Sequence, residues 1–206
     1  MTFVANVMNR HPAVLARMAA TLQEASGGRL TLGIGIGGHP AEHRAYGIPF
    51  PDVPERVARL EEAVAVLRAL WTGGPVTRPS PFYPLLDAFA HPAPVPPPPI
   101  IVGAESRAGV ALAARIGDGW TTPAEAMAER LPLYLEALAA AGKARSTQRL
   151  LAAFDLPRSA SLAGSPWVED PAGAAAGWAA AGADGVVLGA NTTADADLLV
   201  AAAGRR

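Results

Sequence analysis

Short apolar runs bounded by glycine or proline alternate along this chain with longer stretches in which apolar residues recur every three or four positions. The first pattern predicts buried strands and the second amphipathic helices. Residues 2–7 read as a strand. His11-Pro12 then opens a helix over residues 12–25, with Val14, Leu15, Met18 and Leu22 on its buried face. Ser26-Gly27-Gly28 stops it, and residues 30–36 form the next strand. Val53-Pro54-Glu55 begins a long helix through Trp71, with Val57, Leu60, Val64, Leu67 and Leu70 as its buried stripe. Residues 100–102 are a short strand, followed by a helix over 106–116 and a strand end at Gly119-Trp120-Thr121-Thr122. Pro123 opens a helix carrying Met127, Leu131, Leu135 and Leu138, and residues 150–156 are another strand. Asp170-Pro171 caps an alanine-rich helix ending at Gly182, before a strand over 185–188 and a last helix over 195–203. This alternation predicts an α/β fold with a parallel sheet, open or closed. About six βα units can be counted, where a closed barrel has eight and runs to roughly 250 residues. The proline-rich residues 94–99 read as a rigid loop entering a strand, within one domain over residues 1–206.

Between Gly28 and Gly38 an apolar strand runs straight into a loop of alternating glycines. Only glycine lets a flat ring or a phosphate lie against bare backbone. Gly33, Gly35 and Gly38 satisfy the pattern G-x-G-x-x-G, which needs a helix opening at the last glycine and an acidic residue about 20 positions on. Here His39-Pro40 follows, then Tyr46-Gly47-Ile48-Pro49-Phe50-Pro51-Asp52, which is loop chemistry rather than a crossover helix. Context excludes the dinucleotide fold and leaves a strand feeding a glycine loop.

Composition narrows the classes further. The 206 residues are 50% apolar and 17% charged, an ordinary globular balance, with a formal charge of −1. That charge gives no electrostatic case for nucleic acid or an anionic membrane. There is no cysteine, so disulfides, thiolate metal sites and a thiol nucleophile are excluded. No signal-peptide pattern opens the chain and no apolar run approaches the roughly 20 residues of a membrane span, so a cytoplasmic location is expected.

Six segments in order carry a resemblance. They are Arg10-His11-Pro12-Ala13-Val14-Leu15-Ala16, Ser26-Gly27-Gly28-Arg29-Leu30 with Gly33-Ile34-Gly35-Ile36-Gly37, Glu55-Arg56-Val57-Ala58-Arg59-Leu60-Glu61-Glu62, Leu67-Arg68-Ala69-Leu70-Trp71, Pro99-Ile100-Ile101-Val102-Gly103, and Ala113-Ala114-Arg115-Ile116-Gly117-Asp118-Gly119-Trp120. Together they resemble the bacterial-luciferase-like family of flavin- and coenzyme F420-dependent oxidoreductases and monooxygenases. The resemblance implies a TIM (β/α)8-type barrel, here incomplete at the N-terminus, with residues 2–7 standing as the family's third strand. A misplaced start, a fragment or a reduced member would each give this pattern. It further implies FMN or F420 at the strands' carboxyl ends and hydride transfer or oxygen activation on a small-molecule substrate. A non-catalytic flavin-binding remnant is the alternative. Exposed strand edges and apolar helix faces make a homo-oligomer expected.

The same resemblance places cofactor-binding residues. A non-proline cis peptide supporting the ring is expected within residues 2–6, which brings in Ala5 and Asn6. Gly35 and Gly37 line the ring or ribityl chain. Gly103, Ala104, Glu105 and Ser106 form the phosphate candidate, where a helix start offers free N–H groups and the Ser106 hydroxyl adds a donor. Thr121, with Thr122 beside it, is a second-line contact. Some F420-dependent members carry an acidic residue where this chain has Gly38, so no catalytic acid or base is assigned. Glu42 matches an acidic position frequent in other members, and His39 and His43 are expected near the presumed mouth as a proton relay. His39-Pro40-Ala41-Glu42-His43 also satisfies the H-x-x-E-H pattern of a zinc hydrolase, which needs both histidines on one helical face and a third ligand elsewhere.

Overall fold

A computed structural model describes residues 1–154 and 162–204. The chain enters through a two-residue strand, β1 (Ala5–Asn6), and a single 3-10 turn (Val7–Asn9), then helix α1 (Pro12–Ala25). Strand β2 (Leu32–Gly35) leads to a short helix α2 (Pro40–Tyr46) and a long one, α3 (Val53–Leu70). A small hairpin, β3 (Val76–Arg78) and β4 (Leu85–Ala88), precedes β5 (Ile100–Gly103) and α4 (Arg107–Ile116). Then come β6 (Gly119–Pro123), α5 (Ala124–Ala140), β7 (Arg149–Phe154), α6 (Pro166–Glu169), α7 (Pro171–Ala180), β8 (Gly185–Leu188) and α8 (Thr193–Ala203).

Six strands form one sheet in the order β1-β2-β5-β6-β7-β8, every neighbour parallel, with β1 and β8 at its edges. The end of the strand predicted over residues 150–156 passes into residues outside those described. In register across the sheet, Ala5 faces Ile34, Ile34 faces Val102, Val102 faces Trp120 and Trp120 faces Leu150. Successive strand residues point to opposite faces. Ile34, Val102, Trp120, Leu150 and Ala152 therefore share the face that packs into the helix core. Gly33, Gly35, Ile101, Gly103, Thr121 and Leu151 take the other, which is bare at its three glycines. Val4 fills part of it: a Cβ on Gly35 or Gly103 would come within 3.1 or 3.2 Å of a Val4 methyl.

The helical stripes follow the sequence pattern in α3 and depart from it in α1. In α3, Leu60, Val64, Leu67 and Leu70 are buried and Val57 is half-buried. In α1, Leu15 is buried as expected, but Val14, Met18 and Leu22 are 52%, 45% and 51% exposed. Their place inside is taken by Ala16, Ala19 and Ala20. Small side chains let α1 lie close enough to α3 for Trp71 Nε1 to donate to the Ala16 carbonyl at 3.0 Å. Gln23, also buried, donates to Pro96 O and accepts from Leu30 N, tying the helix end to the proline-rich loop and to the entry of β2. Residues 40–46, bounded by Gly37-Gly38 and Gly47-Ile48-Pro49 so that at most two turns fit, form the two turns of α2, closed by Gly47 in the left-handed region at φ 65°. The hairpin β3–β4 was not anticipated; it is short and carries no apolar period.

Strand starts are pinned by a repeated Asp-Gly. Asp118 Oδ2 accepts from Ile100 N at 2.9 Å while Asp118 N donates to Ile100 O, and Arg68 donates to the other carboxylate oxygen. Asp184 repeats this with Leu150 N at 2.7 Å and with Arg145. Gly119 follows because a Cβ there would collide with the Arg149 carbonyl. Asp118→Ala removes a charged acceptor from two donors and is expected to lower stability by about 2 kcal/mol, against about 1 kcal/mol for Asp118→Asn, which keeps an acceptor for Ile100 N–H. Urea denaturation of the two variants reads the difference.

Candidate active site

The carboxyl ends of β1, β2, β5, β6 and β7 open onto a cavity of about 840 Å³. All nine residues selected from the sequence line it: Ala5, Asn6, Gly35, Gly37, Gly103, Ala104, Glu105, Ser106 and Thr121. Val57, Leu60 and Leu112 give it apolar wall, and Arg10, His39, Glu42, Glu105 and Glu125 are its charged or titratable lining.

The stretch after β5 is held by its neighbours on several sides. Ala104 N donates to Thr121 O, and Trp120 Nε1 donates to Ala104 O at 2.8 Å. Trp120 is fully buried and stacked on Tyr134 at 5.0 Å, so it is a support. Burial holds the Tyr134 hydroxyl above its ordinary pKa, keeping it a donor to Gln148. Arg130 Nε reaches across from α5 to Glu105 O. Ser106 caps α4, its Oγ accepting from Gly109 N at 3.1 Å. The hydroxyl hydrogen stays available, and the N–H groups of residues 107 and 108 lie in the first turn, where no intrahelical partner exists.

Several of the selected residues prove to have other work. The Thr121 hydroxyl donates to Leu151 O at 3.0 Å and is not free for a ligand. Its neighbour Thr122, 2% exposed, has a buried hydroxyl with no hydrogen-bond partner among the described residues. Strand register decides between them, because Thr121 sits beside Leu151. Asn6 is likewise engaged: its Oδ1 accepts from Met8 N, while its Nδ2 meets Asn9 Oδ1 at 3.2 Å and His43 Nε2 at 2.7 Å. Gly37 is required by its φ of 77° and because a Cβ would fall 2.5 Å from Asn6 Nδ2. At Gly35 a Cβ would sit tightly against a Val4 methyl, at 3.1 Å. No cis peptide occurs in residues 2–6; those described are at His91-Pro92 and Val95-Pro96. The chain instead leaves β1 through the 3-10 turn that Asn6 caps.

α2 separates the histidines of the H-x-x-E-H pattern. His39 is the exposed residue before the helix, whereas His43 is 1% exposed with both ring nitrogens occupied, Nε2 by Asn6 and Nδ1 by Pro49 O at 3.2 Å. They do not converge, and the zinc hydrolase alternative falls. Among the described residues no cluster of three His, Cys, Asp or Glu side chains is placed to hold a metal ion. Behind α2, the buried Arg56 donates to Gly37 O at 2.7 Å, Ile36 O at 3.2 Å and Pro51 O at 3.1 Å, and its guanidinium lies 4.0 Å from the Phe50 ring centre. Nothing in its helical spacing marks it as the brace of the glycine loop.

The donors at one end of this cavity suit an anionic or hydroxyl-rich group, and its sparse floor suits a flat ring. Residues 1–156 match the family described as luciferase-like monooxygenase. The F420-dependent glucose-6-phosphate dehydrogenase of Beutenbergia cavernae is 39% identical over 148 residues, 71% of this chain and 43% of that protein. An F420-dependent secondary alcohol dehydrogenase, solved in complex with an F420-acetone adduct, matches with a TM-score of 0.67 and 29% identity, over 73% of this chain and 47% of its own. The monooxygenase RslO1 of Streptomyces bottropensis matches with a TM-score of 0.63 and 27% identity, over 97% of this chain and 60% of its own. The chain thus spans about half the length of the relatives it matches.

The two glycines at the loop give opposite expectations. Gly37→Ala is expected to cost about 2 kcal/mol, from its left-handed backbone and the collision with Asn6. Gly38→Ala meets open space and is expected to change stability by less than about 0.5 kcal/mol. Thermal and urea unfolding of both variants checks this.

Proposed function

The chain belongs to the luciferase-like monooxygenase family, and on that footing we propose that it is an oxidoreductase holding coenzyme F420 at its strand ends and acting on a small organic substrate. The observation that carries this is the meeting of all nine selected residues at one cavity, beside a buried hydroxyl with no partner among the described residues. When bound, the deazaflavin supplies two-electron hydride chemistry. The chain's own part is binding and orientation. The first turn of α4, the Ser106 hydroxyl and the Thr122 hydroxyl hold an anionic or hydroxyl-bearing segment of the cofactor. The face with Gly35, Gly37 and Val4 supports the ring, and Val57, Leu60 and Leu112 keep water from it. His39 and Glu42 at the rim are the groups positioned to exchange a proton with a substrate entering there.

F420 is favoured over FMN by the relative at 39% identity and the alcohol dehydrogenase at 29%. A second reading, an FMN-dependent oxygenase, has its own support in the monooxygenase that matches over 97% of the chain. The chain is also expected to self-associate with a second copy through Val14, Met18 and Leu22, a stripe one helical turn apart on α1.

Titration with F420 and with FMN, followed by fluorescence, tests the assignment. Saturable one-to-one binding with F420 the tighter ligand is expected; preference for FMN selects the second reading, and no binding by the folded chain overturns both. Thr122→Val is expected to act in two directions at once. Removing an unpartnered buried hydroxyl stabilises the free protein by about 1 kcal/mol, while losing a donor to the cofactor weakens binding about tenfold.

A further inference from the structure

The geometry around His43 points to a pH-sensitive latch, and we propose that His43 is a positioning residue whose neutral, Nδ1-protonated form locks the end of β1 to α2, holding the Asn6–Gly37 wall of the cavity until protonation releases it. The hydrogen bonds fix each proton in turn. Met8 N–H can only donate, so the Asn6 atom it meets at 2.9 Å is the oxygen. The Asn6 amide nitrogen then faces Asn9 Oδ1 at 3.2 Å and His43 Nε2 at 2.7 Å, with one hydrogen for each. His43 Nε2 must therefore accept and carries no proton. On the other side of the ring, Nδ1 lies 3.2 Å from Pro49 O, which can only accept, so Nδ1 carries the proton. Every donor meets an acceptor.

A second proton on His43 would set an N–H against the N–H of Asn6 in a site only 1% exposed. The Asn6 amide cannot turn over in response without leaving Met8 N facing a donor. The charged or titratable groups on the elements packed around the ring offer no compensation. Arg56 on α3 stands across Phe50, whose ring is 4.4 Å from that of His43. Arg10 follows the turn, and His39, Glu42 and Arg44 flank His43 on its own helix. None of these makes a hydrogen bond to the imidazole. What opens is the wall of the cavity, since Asn6 and Gly37 both line it and the Asn6 amide fills the space that a Gly37 side chain would need.

The inference rests on the proposed function only for its ligand; the latch itself is read in the free protein. Imidazole 15N–1H NMR at about pH 8 is expected to show His43 as the Nδ1–H tautomer, and amide exchange at residues 5–9 and 36–38 is expected to speed up at least tenfold by about pH 5.5. Asn6→Asp supplies a carboxylate that still accepts from Met8 N and can also accept from an Nε2–H, so the N–H against N–H conflict is removed and the acid response disappears. F420 affinity follows the same pattern, falling about tenfold on acidification in the parent and staying flat in Asn6→Asp. An Nε2–H tautomer in the parent, or an unchanged acid response in Asn6→Asp, overturns the latch. Absence of F420 binding at every pH, with the tautomer and exchange behaving as stated, removes the cofactor assignment and leaves the latch standing.

Discussion

Period-two alternation along parallel strands divides this sheet into a face that packs on the helices and one left bare at its glycines, and the cavity depends on that division. Ile34, Val102, Trp120 and Leu150 all turn toward the helices, where burying each large side chain contributes roughly 2 kcal/mol. With the core on that side, Gly33, Gly35 and Gly103 are left opposite, where Val4 can lie across them. A register slip of one residue would exchange the two faces, sending the glycines into the core and the large side chains into the cavity. The Asp118 and Asp184 clamps act against such a slip, since each fixes one strand start against its neighbour.

Topology supplies the rest. In a βα unit the helix begins where the strand ends, so the first turn of α4 comes to the same end of the sheet as Gly35 and Thr121 without further arrangement. What this architecture does not supply is rigidity in the connecting residues. Here it comes from side chains of neighbouring elements, each reaching a backbone carbonyl: Trp120 to Ala104, Arg130 to Glu105, Arg56 to Gly37. Three carbonyls held this way fix the backbone on two sides of the cavity. The unpartnered Thr122 hydroxyl stands out against this background, because the neighbouring polar groups are satisfied within the chain.

Sequence periodicity made most of the frame legible, and the particular failures have physical causes. The strands of the parallel sheet and α3 follow from local pattern, and the αβ order follows from their alternation. The inner face of α1 did not, because close packing against α3 selects alanine, which carries little weight in a hydrophobic stripe, over the larger Val14, Met18 and Leu22. The cavity's residues were found through motif resemblance, but their individual roles were not. Whether Thr121 or Thr122 keeps a free hydroxyl depends on its register with Leu151. The partners Asn6 and His43 lie 37 positions apart, and no local pattern joins them. The H-x-x-E-H pattern did mark His43 as unusual, although what it marked was a buried ring with two satisfied nitrogens rather than a metal ligand.

The edges of the sheet bear on which part of the chemistry these residues can determine. β1 and β8 each have one neighbour, so the strand ends lining the cavity run from β1 to β7 as an arc rather than a ring. Within that arc the donors cluster at β5, β6 and the start of α4, while the glycines and Asn6 lie toward β1. A ligand gripped at the first group by its anionic or hydroxyl-bearing part extends toward the second, with its ring against the bare face. The remaining side of the ring then faces away from the arc, toward the rim where His39 and Glu42 stand. Under the proposed function, this set of residues controls how tightly and in what orientation the cofactor is held. Selectivity among substrates is governed by whatever bounds the open side.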